Sequence, residues 1–223
     1  PAYRADVTRP ADVVEELLRI YGYNSVDIDD KVRSSLAYSA SPDRHRTVKL
    51  ISDTLTGVGM NEIMCNSLTP LAYYNELTTY PAENVVKIVN PLSNDLNGMR
   101  QTLLFGGLES VIYNINHKNA NVRLYEWGNC YRYQQDKHTD EKPLKAYAED
   151  YRLGIWETGF TTPESWAKPQ EATSFFHTKS AVENIFQRIG IFEHLEATDE
   201  VPEDIFEYGL TYNLNGKPIA HVG

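Results

Sequence analysis

The sequence predicts an α+β fold, with an antiparallel sheet of about six strands flanked by helices. After Met99-Arg100, the apolar residues Leu103, Leu104, Leu108, Val111, Ile112 and Ile115 recur at helical spacing, and turn formers gather over 116–119, where that helix should end. Directly beyond it, Val122, Leu124 and Glu126 alternate with Arg123, Tyr125 and Trp127, as in a strand. Near the end of the chain, residues 206–214 and 217–222 alternate around Asn215-Gly216, a dipeptide that favours a tight hairpin turn.

The remaining elements follow in order. Residues 1–23 form a short first unit in which Pro10 suits the first turn of a helix. Val13, Val14, Leu17, Leu18, Ile20 and Tyr21 supply its apolar face and Gly22 ends it. Residues 24–43 read as a polar connector. A helix is expected over 43–56 on Val48, Ile51 and Leu55, stopped by Gly57 and Gly59 and followed by a strand over 62–68. Gly57-Val58-Gly59 lacks the third glycine and the strand-then-helix order of a dinucleotide loop, so a helix cap is the better reading.

Residues 69–84 read as a loop or short helix, 85–89 as a strand, and Asn90-Pro91 and Asn97-Gly98 as turns. Residues 128–133 should continue the sheet edge. The charged, aperiodic segment 134–150 reads as a hairpin loop and 151–158 as a strand. A turn-rich stretch at 159–169 follows, with Trp166 in it as packing or as a contact residue. A last helix over 173–188 places Phe176, Ala181, Val182, Ile185 and Phe186 on its buried side.

Composition removes several functions. The chain has 223 residues, with Lys+Arg 21 against Asp+Glu 31 and a net charge of −10, which argues against a broad phosphate-binding surface. Its 2 cysteines, Cys65 and Cys130, are too few for a disulfide framework or a thiolate zinc site, and a reduced, cytoplasmic location is expected. No apolar run is long enough for a membrane span. The 6 histidines (His45, His117, His138, His177, His194 and His221) are scattered without metal-ligand spacing, and the H-E-x-x-H, G-x-S-x-G and G-x-x-x-x-G-K-[ST] motifs are missing. The first residue is Pro1, so the chain is expected to be part of something longer, and its last strands read as mid-sheet.

Asp12, Glu15 and Glu16 stand at i, i+3 and i+4 on the first helix, with Asp6 in the extended segment before it. Two readings compete. Acids in a first turn complement the helix dipole and face solvent. Clustered oxygen ligands at a helix start also suit a hard cation such as magnesium.

An N-P-L-S turn at 90–93, an M-R-x-x-L-L helix start at 99–104 and an R-L-Y-E-W-G strand at 123–128, in that order, resemble the core of the phenylalanyl-tRNA synthetase beta subunit. The opening P-A-Y-R-A-D and A-D-V-V-E-E-L-L-R-I-Y-G-Y resemble the end of the small domain that precedes that core. The resemblance implies a class II aminoacyl-tRNA synthetase-like antiparallel sheet flanked by helices, with residues 1–23 the end of a small magnesium-site domain and 24–223 a catalytic-like core. It implies that Asp6, Asp12, Glu15 and Glu16 bind magnesium shared with the alpha subunit, and that the helix-then-strand unit at 43–68 packs subunits together.

It further implies a non-catalytic module paired with the catalytic alpha subunit in an alpha2-beta2 heterotetramer. That parent complex would charge tRNA(Phe) with phenylalanine; ATP would be held by alpha and little or no tRNA by this segment. An active class II enzyme grips the ATP α-phosphate with an arginine followed two positions later by an acid. Here Arg132 stands in that place but Gln134 replaces the acid, and the strand 152–157 lacks the F-x-Q-x-E pattern. Arg100, Arg123 and Glu126 are read as structural, with Arg100 capping or salt-bridging near a helix start. The competing readings are a self-sufficient class II ligase and a stand-alone paralogue acting as an interaction module.

Overall fold

The computed structural model describes residues 3–27, 31, 34–35, 43–162 and 165–223. They fall into two compact units, Pro1–Pro42 and Asp43–Gly223. The first holds helix α1, Pro10–Tyr21, which Gly22 closes at φ 95°. Arg9 and Thr8 precede the helix, and the Asp12 carboxylate accepts their backbone N–H groups at 2.8 and 2.9 Å. It thereby satisfies donors that a helix start leaves open. The apolar side of α1 (Val13, Val14, Leu17, Ile20) is exposed. The connector expected over 24–43 lies largely outside the described residues; its beginning, Tyr23–Ser25, is a single 3-10 turn.

The second unit is built around a long hairpin, β4 (Val122–Tyr133) and β5 (Tyr147–Thr158), paired antiparallel in unbroken register from Val122↔Thr158 to Tyr133↔Tyr147. Alternation sends its residues to two faces. On one face Tyr125, with Trp127, Leu153 and Ile155 beside it, packs on α2 (Arg44–Gly57) through Ile51 and Leu55, on Met60 just after that helix, and on α4 (Phe175–Ile189) through Ile185. Hydrogen bonds from Trp127 Nε1 to Ser52 Oγ (3.0 Å) and between Tyr125 Oη and Thr56 Oγ1 (3.1 Å) fix α2 on this face. On the other, Val122, Leu124, Cys130 and Trp156 pack with Leu103 and Val111 at α3, Leu104–Asn116. Gly107 of α3 and Gly154 of β5 make room for the Trp156 indole, since a Cβ at either would come within 2.3 Å of the ring.

The helical expectations for 43–56 and 103–115 match α2 and α3, with Asp43 capping α2 by accepting the His45 N–H at 2.9 Å. The strand expected over 62–68 is instead two short pieces, β1 (Asn61–Glu62) and β2 (Leu68–Thr69). Side chains take the backbone donors between them: Glu126 accepts from Cys65 N–H and Asn66 from Leu68 N–H. Residues 85–89 form a bridge, Lys87↔Gly98, rather than a strand, beside the small ladder of β2 with β3, Gly98–Met99. The loop expected over 134–150 is shorter, because β5 begins at Tyr147.

The single sheet of about six strands resolves into ladders β1-β4-β5, β2-β3 and β6-β7-β8 among the described residues, and β1 runs parallel to β4. The last ladder adds β6 (Leu195–Thr198), which the sequence pattern does not announce, to β7 (Leu210–Leu214) and β8 (Lys217–Val222). Asn215 and Gly216 turn its hairpin at φ 52° and 74°. Phe186, Tyr212 and Val222 seal it against α4. Phe176 is 72% exposed instead of buried, and Phe175 packs against this cluster in its place. Trp166 is fully exposed.

One tether spans 126 residues of sequence: Asp204 accepts the N–H groups of Thr78 and Thr79, both at 2.8 Å, and the Thr79 hydroxyl. That hydroxyl first, then the backbone donors, holds the Asp204 carboxyl down to about 2 from 3.8. A carboxyl whose pKa falls on folding contributes stability above its unfolded value and loses it as pH drops through its folded value, here between about pH 4 and about pH 2. We expect Asp204→Ala to lower stability at pH 7 by about 1–2 kcal/mol in urea unfolding, with the gap from wild type closing as the pH approaches 2.

Candidate functional site

Arg132, which stands in the place of a phosphate-gripping arginine but without the accompanying acid, lies on one face of β4–β5. Arg132 is held by Asp150, across the hairpin on β5, at 2.6 Å, and Arg152 reaches the same oxygen at 3.5 Å. Gln134, in the place of the acid, accepts Lys137 Nζ at 2.8 Å, while its backbone N–H closes the hairpin on Ala146. Further along the same face, the Trp156 ring fills the space between sheet and α3, and the Arg100 guanidinium lies so close beneath Gly128 that a Cβ there would come within 2.1 Å of it.

Arg100 and Glu126 form a buried ion pair at 2.7 Å, their side chains 7% and 1% exposed. Arg100 Nε also donates to the Asn129 carbonyl at 3.0 Å, and Glu126 accepts the Cys65 N–H at 3.2 Å. Glu126 Oε2 is buried with no partner among the described residues. Arg123 instead meets Glu157, its cross-strand neighbour, at 4.0 Å, so the two arginines serve opposite faces as the three-residue offset requires. Cys130 is buried, which pushes its thiol up to about 11 and makes it a packing residue. Cavities lie elsewhere, one of about 610 Å³ lined by α2 and α4 residues including Asp53 and Arg188, another of about 270 Å³ lined by residues including Asn61, Asn121 and Arg123.

The four acids of the first unit are distributed rather than gathered. Asp12, 14% exposed, is turned back onto the helix start, and the N–H of Thr8, then of Arg9, lowers its pKa. Asp6 and Glu16 meet at Arg4: Nε and Nη2 donate to the two Asp6 oxygens at 3.0 and 2.8 Å, and Nη2 reaches Glu16 Oε1 at 3.2 Å. The hydrogen bond from Arg4 is the main reason that the Asp6 carboxyl is held down to about 2. Glu15 pairs with Arg19 at 3.2 Å. No three acidic, histidine or cysteine side chains converge on one point among the described residues. Arg4 is the residue that sequence reasoning missed. Its only signal was its place two residues before Asp6, where a turn brings the two side chains together.

The helices and the long antiparallel hairpin define the class: the fold is that of class II aminoacyl-tRNA synthetases. Two structures of pyrrolysyl-tRNA synthetase from Desulfitobacterium hafniense are similar to it. One has a TM-score of 0.54 at 12% identity, covering 79% of this chain and 57% of that one; the other has 0.53 at 13%, covering 95% and 63%. Residues 28–223 match the phenylalanyl-tRNA synthetase beta chain CLM domain, and residues 1–23 match the tRNA synthetase B5 domain. The chain therefore belongs to the phenylalanyl-tRNA synthetase beta chain family.

The phenylalanine–tRNA ligase beta subunit of Bacteroides fragilis is 48% identical over 225 residues, all of this chain and 27% of the relative. That of Porphyromonas gingivalis is 50% identical over 192 residues, 86% of this chain and 23% of the relative. The chain thus spans about a quarter of the length of these relatives.

The buried pair makes a direct prediction. Removing one partner strands the other charge, so Arg100→Met should cost about 3–5 kcal/mol in urea unfolding. The double variant with Glu126→Leu should recover most of that loss. A single variant as stable as wild type would mean that the pair is not desolvated as the structure places it.

Proposed function

We propose that this chain is a non-catalytic core of the phenylalanine–tRNA ligase beta subunit, which pairs with the catalytic alpha subunit and supports it. The observation that carries this reading is the state of the Arg132 face. The arginine in the place of a phosphate grip is paired with Asp150, and further along the same face Trp156 fills the space between the sheet and α3. In an active enzyme the α-phosphate is stabilised by a preorganised cation with an ordered acid beside it; here Gln134 stands in the place of that acid and Arg132 is paired with Asp150.

In the parent ligase, phenylalanine is activated by ATP as an aminoacyl-adenylate and passed to tRNA(Phe), with ATP held by alpha. An alpha2-beta2 heterotetramer in the cytoplasm is the assembly that this reading carries. The net charge of −10 agrees with a segment that contributes little to tRNA binding. No helix among the described residues is long and apolar enough to cross a membrane.

For magnesium, the donor chemistry of Asp6, Asp12, Glu15 and Glu16 fits a hard cation, and a guanidinium already stands between Asp6 and Glu16. A magnesium ion bound there, with further ligands from alpha, would join the two subunits through shared charge. The part of this chain is to present the carboxylates: α1 carries Glu15 and Glu16, and Arg4 links Asp6, in the turn before the helix, to Glu16.

The test is phenylalanine-dependent ATP–pyrophosphate exchange, together with size-exclusion chromatography, on the chain alone and mixed with the alpha subunit. We expect no exchange by the chain alone, and co-elution with activity once alpha is present. Exchange without alpha would make the chain a self-sufficient ligase. Failure both to co-elute and to support exchange would favour a stand-alone interaction module.

A further inference from the structure

We propose that α4 begins on a pH-sensitive cap: the neutral imidazole of His177 accepts the backbone N–H of Ser174, and protonation of that ring opens the first turn of the helix and loosens the aromatic contact that it carries.

The start of an α-helix leaves backbone donors without partners in the helix, and a side chain in the first turn can reach back to the residue before it. Glutamate and glutamine are the usual residues at that place, because each offers an oxygen as acceptor. In Ser174-Phe175-Phe176-His177 the place is held by a histidine. Ser174 precedes α4 with an extended backbone, φ −132° and ψ 163°, and its N–H donates to His177 Nδ1 at 3.1 Å. The Ser174 hydroxyl lies 2.9 Å from the same nitrogen.

These contacts select a protonation state. A ring nitrogen accepts only when it carries no proton, so Nδ1 is bare and the neutral ring holds its proton on Nε2. The Ser174 hydroxyl can turn to donate to Nδ1 or to accept from it, whereas the backbone N–H can only donate. Protonating Nδ1 sets two N–H groups against each other and leaves the Ser174 donor without its acceptor. It also puts a positive charge in the first turn, where the aligned peptide dipoles disfavour one. Both effects act in one direction: the bond is present with the neutral ring and lost with the charged one.

The charged groups around α4 have other partners. Lys179 pairs with Glu183 at 2.7 Å, and Glu183 also accepts the hydroxyl of Tyr212 on β7. On β5, Glu157 accepts Thr178 Oγ1 at 3.3 Å and faces Arg123. On β8, His221 Nδ1 is bonded to Thr211. Asp53 of α2 lines a cavity with Arg188, toward the other end of α4, and Glu193 and His194 follow that end in the chain. Among the described residues, none of these groups hydrogen-bonds the His177 ring.

The first turn also carries Phe175, whose ring meets that of Tyr208 edge-on at 5.9 Å and packs against the cluster of Phe186, Tyr212 and Val222. When the turn opens, Phe175 is the side chain that lets go. Ile185 and Phe186, more than two turns further along, keep the rest of the helix on its two cores.

Heteronuclear NMR of the histidine rings reads the tautomer in the wild-type chain, and amide hydrogen exchange reads the turn. We expect the Nε2–H form of His177 at about pH 7.5, and charging of the ring by about pH 5.5, the span over which imidazoles change charge. Across that span the protection factors of the Lys179 and Ser180 amides should fall about fivefold, the scale of one lost cap. Protection at Ile185 and Phe186 should hold. His177→Gln keeps an acceptor and does not titrate, so its protection factors should stay within about twofold over the same span. An Nδ1–H tautomer at the higher pH overturns the proposal, and so does an equal pH response in wild type and His177→Gln. A loss of protection that runs through Ile185 and Phe186 also overturns it, because the response would then belong to the whole helix.

Discussion

Glu126 lies under α3 with its side chain 1% exposed and Arg100 as its counter-ion 2.7 Å away. Much of the core depends on how that charge is satisfied. Transferring a carboxylate from water costs several kcal/mol, so it persists there only with a partner and hydrogen bonds in place. Arg100 supplies the partner, and the Cys65 N–H supplies a hydrogen bond. The pair thus ties the segment after β1, the approach to α3 and the middle of β4 to one point. It also dictates its neighbours: position 128 must be glycine for the guanidinium to pass beneath it. The break in the strand between Glu62 and Leu68 has the same origin, because a backbone donor there is spent on Glu126.

The Arg132 face is filled differently, by a surface ion pair at one end and aromatic packing at the other. Asp150 neutralises Arg132 from the neighbouring strand, and Trp156 lies across the sheet between Gly107 and Gly154. Ion pairing and aromatic packing together fill the face, so the region contributes stability to the hairpin. In the first unit, Asp6, Glu15 and Glu16 and their arginine partners are partly or largely solvated, so their pairings are weak. A buried charge is held in one arrangement, whereas an exposed one keeps alternatives.

The sequence alone determined the helices and the main hairpins, because their causes are local. The spacing of Leu103, Leu104, Leu108, Val111, Ile112 and Ile115 predicts α3, Asn215-Gly216 predicts the last turn, and Asp43 and Gly59 bound α2. The ordered motifs between Asn90 and Gly128 were enough to point to the family, since a series of turns and caps survives in sequence order. What only the tertiary structure decided involves partners far apart in the chain. The Arg100–Glu126 pair spans 26 residues, the Asp204 tether 126, and the parallel docking of Asn61 on Leu124 is invisible to periodicity. Phe175 rather than Phe176 packs inward, against residues of α4 and of the ladder that forms later in the chain. Among the acids of α1, composition named the residues, but only the placed arginines separated Asp12, spent on backbone donors, from Asp6 and Glu16. Local periodicity encodes which surface a segment buries; the identity of the charge that meets a given carboxylate is a property of the folded chain.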